Sequence, residues 1–254
     1  MALALLIYGQ RWNTNPMMLH HPIAFKLDKK ELMDFALGQC NPKARSFADL
    51  GGCWGVNGAY TFYGLESLNA DRAFLVDTDV PESVQLRARE FECLTIINGN
   101  FGEDAVATAI GFVDAILLFD VLLHQVNPNW NGILKKYACR TNWFLIYNQQ
   151  WIKSNHTVRL LDLGRNEYFK NVPHKEEERN YKALFKHMYE QHPIQRRVWR
   201  DIHNVWQWGI SDCDLLRTME ELGFDLQYFK NCGRFGSLEN FENHAFAFHN
   251  MNER

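Results

Sequence analysis

Short apolar runs rich in β-branched and aromatic residues alternate along the chain with segments that have helical periodicity. Five of these runs lack an internal proline and have the length of strands that are buried on both faces of a parallel sheet. They cover residues 45–50, 72–76, 94–97, 113–119 and 143–147. The alternation predicts an α/β fold, with a Rossmann-like doubly wound sheet between layers of helices.

The C-terminal part adds two segments of alternating polarity, residues 225–231 and 244–248, which predict an antiparallel strand pair. Before them, Ser211 is a candidate N-cap, apolar residues recur with helical spacing over 215–222, and Gly223 supplies a stop. The prediction is therefore a sheet of about seven strands whose C-terminal pair is antiparallel.

Further helices are predicted in the connections between the strands. One follows Asp28, ahead of the first strand. Another begins near Pro81, with Asp79 as its cap, and ends near residue 91. A third, shorter helix covers residues 129–137.

Two parts of the chain lie outside the alternation of strands and helices. Residues 1–44 predict an N-terminal helical lid segment, and residues 153–210 predict a helical cap inserted into a core made of residues 45–152 and 211–254. Within the cap, one helix is expected to begin at residues 176–178 and to be broken by Pro193. Its apolar face carries Tyr181, Leu184, Phe185 and Met188, and a second helix carries Val198, Ile202 and Val205.

Composition restricts the classes of function. The 254 residues include 27 Lys and Arg against 30 Asp and Glu, so a formal net charge of −3 provides no broad positive field, and nucleic acid is a disfavoured partner. Six cysteines without CxxC spacing predict a reducing compartment, and no apolar run approaches the roughly 20 residues of a membrane span. We expect a cytoplasmic protein without a membrane segment. The 8 Trp residues are compatible with a pocket for an organic ligand.

The candidate chemistry begins in the glycine-rich turn after the first predicted strand, residues 49–55. Glycines let the backbone approach a ligand closely, and N–H groups at a helix start bind polar atoms, although an ordinary tight turn has the same appearance. Asp77 ends the second predicted strand, where a carboxylate can accept hydrogen bonds from both hydroxyls of a ribose. Asp79 is the competing acid, but it is better explained as a helix cap.

Together these features resemble the class I S-adenosylmethionine-dependent methyltransferases. Asp49-x-Gly51-x-x-x-Gly55 is similar to the family's first motif, acid-x-Gly-x-Gly-x-Gly, with Cys53 in place of the middle glycine. Asp77 matches the family's ribose ligand.

Two further stretches carry the resemblance. Residues 98–101 are similar to the stretch after the third strand, with Asn100 in place of the usual Asp, and residues 115–126 are similar to the stretch that ends in a Leu-His-His-Val-like turn. The resemblance covers about residues 45–150 and 211–249.

The resemblance implies S-adenosylmethionine as the cofactor. The cofactor-binding candidates are Asp49, Gly51, Gly52, Cys53, Gly55, Asp77, Thr78, Asn100, Phe101, Phe119 and Asp120. His124 after the fourth strand and Tyr147 at the end of the fifth are candidate catalytic residues, with a structural histidine as the alternative for His124. The substrate-binding candidates are Trp12, His124, Gln125, Asn148, Gln150 and Trp151.

The expected reaction is methyl transfer to oxygen or nitrogen of a small organic acceptor. Transfer from a sulfonium is an in-line displacement with a neutral leaving group, so alignment supplies most of the rate and no metal is expected. Three alternatives stay open: an RNA methyltransferase, a nucleotide-binding oxidoreductase, and a noncatalytic protein that retains the fold. A homodimer also stays open.

Overall fold

The main sheet contains seven strands in the part of the chain described by this computed structural model, residues 25–40, 44–178, 181–202 and 205–251. The strands are β1 (Ser46–Leu50), β2 (Arg72–Asp77), β3 (Leu94–Asn98), β4 (Val113–Phe119), β5 (Thr141–Trp151), β8 (Phe224–Arg234) and β9 (Phe241–Asn250). A separate two-stranded sheet pairs β6 (Val158–Arg159) with β7 (Trp208–Gly209). The main sheet has the order β3-β2-β1-β4-β5-β9-β8. The first five strands are parallel, and β9 runs antiparallel to both of its neighbours.

Helices cover both faces of this sheet. They are α1 (Leu27–Met33), α2 (Ala59–Glu66), α3 (Glu82–Ala88), α4 (Asp104–Ile110), α5 (Trp130–Ala138) and α7 (Asp212–Glu221). A further helix, α6 (Arg165–Lys170), packs in a separate cluster of residues 153–210. The α1 helix continues as a π-helical segment, Asp34–Gln39, and a short 3-10 turn, Leu122–His124, follows β4. These elements confirm the predicted Rossmann-like fold with its antiparallel C-terminal pair.

Alternation along each strand distributes side chains between two cores. In β4, Ile116 and Leu118 pack with α4, α5 and α7, whereas Leu117 packs with α1 and α2 on the opposite face. Because both faces of β1, β2, β4 and β5 are buried, these central strands are nearly continuous apolar runs, which makes them recognisable in the sequence.

A side-chain cap lies at the start of α7. The Ser211 hydroxyl accepts a hydrogen bond from the Asp214 N–H at 3.2 Å, Leu215 and Met219 are buried, and Gly223 leaves the helix with a φ of +83°. The helix is formed as predicted.

The predicted cap of α3 is wrong. Asp79 is exposed, the N-cap position is Pro81, and no side chain caps the helix, which begins at Glu82 and ends at Ala88 rather than near residue 91. The residue before a proline is held extended, so the helix cannot begin until Pro81 has been passed, beyond the reach of Asp79.

The two helices predicted within residues 176–205 are also absent from the described part of that region, which forms turns and one short 3-10 segment, Trp199–Asp201. Tyr181, Leu184, Ile202 and Val205 are nevertheless buried, in a cluster that includes Trp151 of β5. Packing in this cluster buries the apolar residues without a helix. A helix is not needed here, since short helices gain little stability from their own hydrogen bonds. Among the described residues, no helix is long and apolar enough to span a membrane.

Candidate functional site

The glycine turn lies at the carboxyl edge of the sheet, where β1 ends beside β2. The Gly51 N–H donates to the Val76 carbonyl at 2.7 Å, and Gly51 has a φ of +79°. A Cβ on Gly51 would lie 2.6 Å from Val121 Cγ1, so glycine is required both for the backbone conformation and for contact with the segment after β4.

Cys53, which replaces the family's middle glycine, contributes its backbone to this edge and directs its side chain away from it. Its N–H donates to Asp77 Oδ2 at 2.9 Å, whereas its side chain is buried among Phe62, Leu75 and neighbouring apolar residues. Burial raises the pKa of the Cys53 thiol, with the negative charge of Asp77 adding to the effect. The substitution therefore leaves the surface of the turn unobstructed.

Asp77 lies between the turn and the exit of β3. Its carbonyl accepts from Gly99 N–H at 2.8 Å, and its partly exposed carboxylate accepts from Cys53, with the Asp79 N–H 3.4 Å from Oδ1. Each carboxylate oxygen has a second lone pair, so two hydroxyl donors can still be accommodated. The next residue, Thr78, is exposed.

Asn100 completes this half of the edge. Its Oδ1 accepts from the Gly102 N–H at 2.8 Å, which leaves the Nδ2 group as a hydrogen-bond donor. Phe101, in contrast, belongs to the core, where its carbonyl accepts from the Tyr137 hydroxyl at 2.8 Å. The structure thus brings together Gly51, Cys53, Asp77 and Asn100, and the Phe101 ring packs in the core beside Gly51, 3.7 Å from where a Cβ on that glycine would lie.

Asp49 supports the turn from below. It is 1% exposed, accepts from the Thr61 hydroxyl at 2.7 Å, and a Cβ on Gly52 would collide with its carboxylate. Burial raises the pKa of Asp49 to about 6, against the opposing effects of the Thr61 hydrogen bond and the positive charge of Lys29.

The second half of the edge centres on Asp120, immediately after β4. It has a φ of +61°, and its carboxylate accepts from Lys29 Nζ at 2.5 Å and from Gln149 Nε2 at 2.6 Å. Burial acts to raise the pKa of Asp120, but the positive charges of Lys29 and Lys26 together with these hydrogen bonds lower it overall. Asp120 is therefore an ionised acceptor.

Lys29 is a site residue that the sequence reasoning missed. It is only 2% exposed, and its Nζ lies 5.1 Å from the ring centroid of Tyr60, 5.6 Å from that of Phe119 and 5.0 Å from that of Tyr147. The sequence did contain an indication, because Lys29 precedes Leu32, Met33 and Ala36 by three, four and seven positions, on the apolar face of α1. A lysine on that face needs a buried counter-charge.

The predicted end of β5 at Tyr147 is wrong, because the strand continues to Trp151 along β9. Tyr147 lies level with Phe119 and is 1% exposed, and burial raises the pKa of its phenol. The phenol is therefore protonated near neutral pH, and its oxygen lies 3.5 Å from Lys26 Nζ.

The remaining candidates from β5 are strand residues rather than loop residues. Asn148 and Gln150 are completely buried, and Asn148 Oδ1 and both amide atoms of Gln150 have no hydrogen-bond partner among the described residues. Trp151 packs into the cluster formed with residues 153–210 and donates to Ser154 Oγ at 3.1 Å.

The turn after β4 contacts the inserted region. His124 Nδ1 lies 3.0 Å from the Val205 carbonyl, and the His124 ring is 6.3 Å from that of Trp206. Gln125 donates to the Val121 carbonyl, while its own carbonyl accepts from Trp208 Nε1 at 2.5 Å. Trp12, the remaining substrate-binding candidate, lies outside the described residues.

Comparison with known proteins gives a likeness in structure. No protein-family model and no curated protein matches the chain. The fold is similar to that of 1,6-didemethyltoxoflavin-N1-methyltransferase from Burkholderia thailandensis, solved with 1,6-didemethyltoxoflavin and S-adenosylhomocysteine. The TM-score is 0.55 and the identity 12%, over 88% of this chain and 78% of that one.

A second similar structure is the N-terminal domain of EvdMO1, solved in the presence of S-adenosylhomocysteine and D-fucose, with a TM-score of 0.52 and 14% identity over 89% of this chain and 84% of that one. At these identities the likeness establishes the fold, which is that of the class I methyltransferases.

Proposed function

We propose that this protein transfers a methyl group from S-adenosylmethionine to an oxygen or nitrogen atom of a small organic acceptor. The observation that carries the proposal is the convergence of the Gly51 turn, Asp77 and Asn100 at the carboxyl edge of one sheet. The similar structure of 1,6-didemethyltoxoflavin-N1-methyltransferase, which contains 1,6-didemethyltoxoflavin and S-adenosylhomocysteine, agrees with this class of reaction.

The residues at the edge fit the cofactor. Asp77 has lone pairs for two ribose hydroxyls, the Nδ2 group of Asn100 can donate to a ring nitrogen of adenine, and the Cys53 side chain is directed away. When bound, the cofactor supplies an electrophilic methyl group on a sulfonium. The protein's part is to orient the acceptor toward that methyl group and, where the acceptor loses a proton, to receive it.

His124 is the residue proposed to receive such a proton. Its Nδ1 faces the Val205 carbonyl, an atom that only accepts, so Nδ1 carries the hydrogen and Nε2 carries the lone pair of the neutral ring. The ring follows β4, beside the edge on which the cofactor residues converge.

We further propose that residues 1–44, of which 1–24 and 41–43 lie outside the described residues, and residues 153–210, of which 179–180 and 203–204 lie outside them, cover the acceptor site and determine its specificity. In support, the inserted region packs on Trp151 of β5 and on Phe241 of β9, and Val205 and Trp206 contact His124. Such a cover would exclude water and strengthen the hydrogen bonds that align the acceptor.

Calorimetric titration with S-adenosylmethionine and S-adenosylhomocysteine tests the proposal, with NADH and NADPH in parallel titrations. Heat of binding with the first pair alone is the expected result. The absence of both heat and a thermal shift at millimolar cofactor would refute the proposal, and binding of a nicotinamide dinucleotide instead would favour the oxidoreductase.

A further inference from the structure

Lys26 lies at the opposite half of the edge from the cofactor residues. Its Nζ is 3.5 Å from the Tyr147 hydroxyl oxygen, 4.9 Å from the Tyr147 ring centroid and 6.0 Å from that of Phe235, in the connection between β8 and β9. Its backbone is fixed because its N–H donates to the Tyr60 hydroxyl at 2.8 Å. The side chain therefore belongs to the β5 side of the sheet, whereas the turn, Asp77 and Asn100 belong to β1, β2 and β3.

The charge of Lys26 is incompletely compensated. No described carboxylate lies within ion-pair distance of it, and Asp120, the acid that acts most strongly on its pKa, already accepts from Lys29 at 2.5 Å and from Gln149 at 2.6 Å. Asp28, whose negative charge also acts to raise the pKa of Lys26, is paired with Lys230 at 2.9 Å.

Burial lowers the pKa of Lys26, in opposition to the attraction of Asp120. A half-buried ammonium among aromatic rings, with Asp120 already engaged by Lys29 and Gln149, is stabilised when an anion binds beside it.

Aromatic side chains extend from Lys26 toward the candidate base. The ring of Phe235 lies 5.5 Å from that of Trp206, and Trp206 lies 6.3 Å from His124. Lys26 and His124 thus stand at the two ends of a row of rings in which Phe235 is partly exposed and Trp206 is buried. A flat apolar body with an anionic group at one end matches this arrangement in shape and charge.

We propose that Lys26 binds an anionic group, a carboxylate or a phenolate, of the methyl acceptor, and that the acceptor is an aromatic acid. The assignment rests on the proposed function because it concerns the acceptor of that reaction. Binding of the acid can nevertheless be measured without turnover.

The test is calorimetric titration of the protein, saturated with S-adenosylhomocysteine, with benzoate, salicylate and indole-3-carboxylate and with the matching neutral amides. We expect at least one acid to bind about tenfold or more tightly than its amide, because a charge-assisted hydrogen bond is stronger than a neutral one. Lys26→Gln should remove this difference and Lys26→Arg should retain part of it. Lys30→Gln, one turn beyond Lys26 in α1 and paired with Asp34 at 2.6 Å, is the control that should retain the difference in full.

Two results would overturn the assignment to the acceptor. One is that no acid in the panel binds the parent protein more tightly than its amide, or that Lys26→Gln preserves the preference. The other is that Lys26→Gln weakens S-adenosylhomocysteine but not 5′-methylthioadenosine, which lacks the amino-acid end, because Lys26 would then hold the cofactor's own carboxylate. Failure of the parent protein to bind S-adenosylhomocysteine would be a separate result, directed against the proposed function.

Discussion

Lys29 of α1 and Asp120 at the end of β4 form an ion pair of 2.5 Å that joins the N-terminal helix to the carboxyl edge of the sheet. The lysine is 2% exposed and the aspartate side chain 26% exposed, so water compensates little for the loss of either partner. The pair also fixes the face of α1 that carries Leu32 and Met33 against the core.

Replacing Lys29 with Met should therefore destabilise the protein. We expect a loss of about 3 kcal/mol in the free energy of unfolding, at the lower end of the range for a broken buried pair because Asp120 retains some solvent contact. Urea denaturation provides the measurement. The double variant Lys29→Met with Asp120→Asn should recover most of the loss, and a single variant as stable as the parent would show that the pair is not coupled to folding.

Asp77 and Asp79 form a matched pair of nearby acids. Asp77→Ala should weaken S-adenosylhomocysteine by about 1.5–3 kcal/mol, roughly ten- to hundredfold in Kd, because a charged acceptor for two hydroxyls is lost. Asp79→Ala should change neither affinity nor stability appreciably, since Asp79 is exposed and caps no helix. Calorimetry on both variants gives the comparison, and equal affinities would count against the ribose assignment.

Asp49→Asn should make the protein more stable at neutral pH. Because the folded-state pKa of Asp49 is raised from 3.8 to about 6, its ionisation destabilises the fold as the pH rises through that interval, at a cost on the order of 3 kcal/mol. The amide keeps an oxygen for the Thr61 hydroxyl but carries no charge. The gain in unfolding free energy should be largest above pH 6 and should shrink toward pH 4; a variant less stable than the parent at pH 7.5 would contradict the argument.

His244 should make the free energy of unfolding decrease as the pH rises, whereas a carboxylate with a lowered pKa makes it decrease as the pH falls. Burial acts to lower its pKa, but Asp212, 2.9 Å away, and Glu242 raise it above 6.5 overall. The charged ring therefore contributes stability that is complete below 6.5 and is lost as the pH rises through the folded-state pKa.

Unfolding free energies measured from pH 6 to 9 should thus fall more steeply for the parent than for His244→Gln, by at most about 1.4 kcal/mol per pH unit. Asp212→Asn should flatten the dependence as well. Parallel curves for the parent and His244→Gln would show that His244 does not cause the pH dependence of stability.

Limited trypsin digestion tests the proposed cover. Lys170 and Lys175 are exposed in the inserted region, and Arg89 is an exposed reference site on the opposite half of the sheet. If residues 153–210 close over an occupied site, saturating S-adenosylhomocysteine should slow cleavage at the two lysines and leave cleavage at Arg89 unchanged. Equal rates with and without ligand would oppose a moving cover.

The centre of the sheet is predictable because β1, β2, β4 and β5 are buried on both faces. The β4 strand has the predicted bounds. The prediction for β5 ends too early, at Tyr147, because Asn148, Gln149 and Gln150 interrupt the apolar run. These polar residues remain in the strand because β9 pairs with each of them, and that contact between distant segments is not encoded in local periodicity.

The half of the site on β1 and β2 could be located from a turn and an acid that lie next to strand ends. The other half could not, since Lys29 and Lys26 reach it from a helix that precedes the sheet in sequence. In the inserted region, helical spacing was misleading because apolar residues there pack on one cluster through turns. Tertiary contacts override local preference most readily in such short segments.

The direction of the Cys53 side chain bears on how a turn of this kind can change during evolution. Its Cβ is accommodated in an apolar pocket beneath the edge, while only its N–H meets Asp77. Another small apolar residue at position 53 would keep the N–H directed at Asp77. The volume of the pocket therefore limits which side chains position 53 can accept. The geometry of this turn therefore does not require a glycine at position 53.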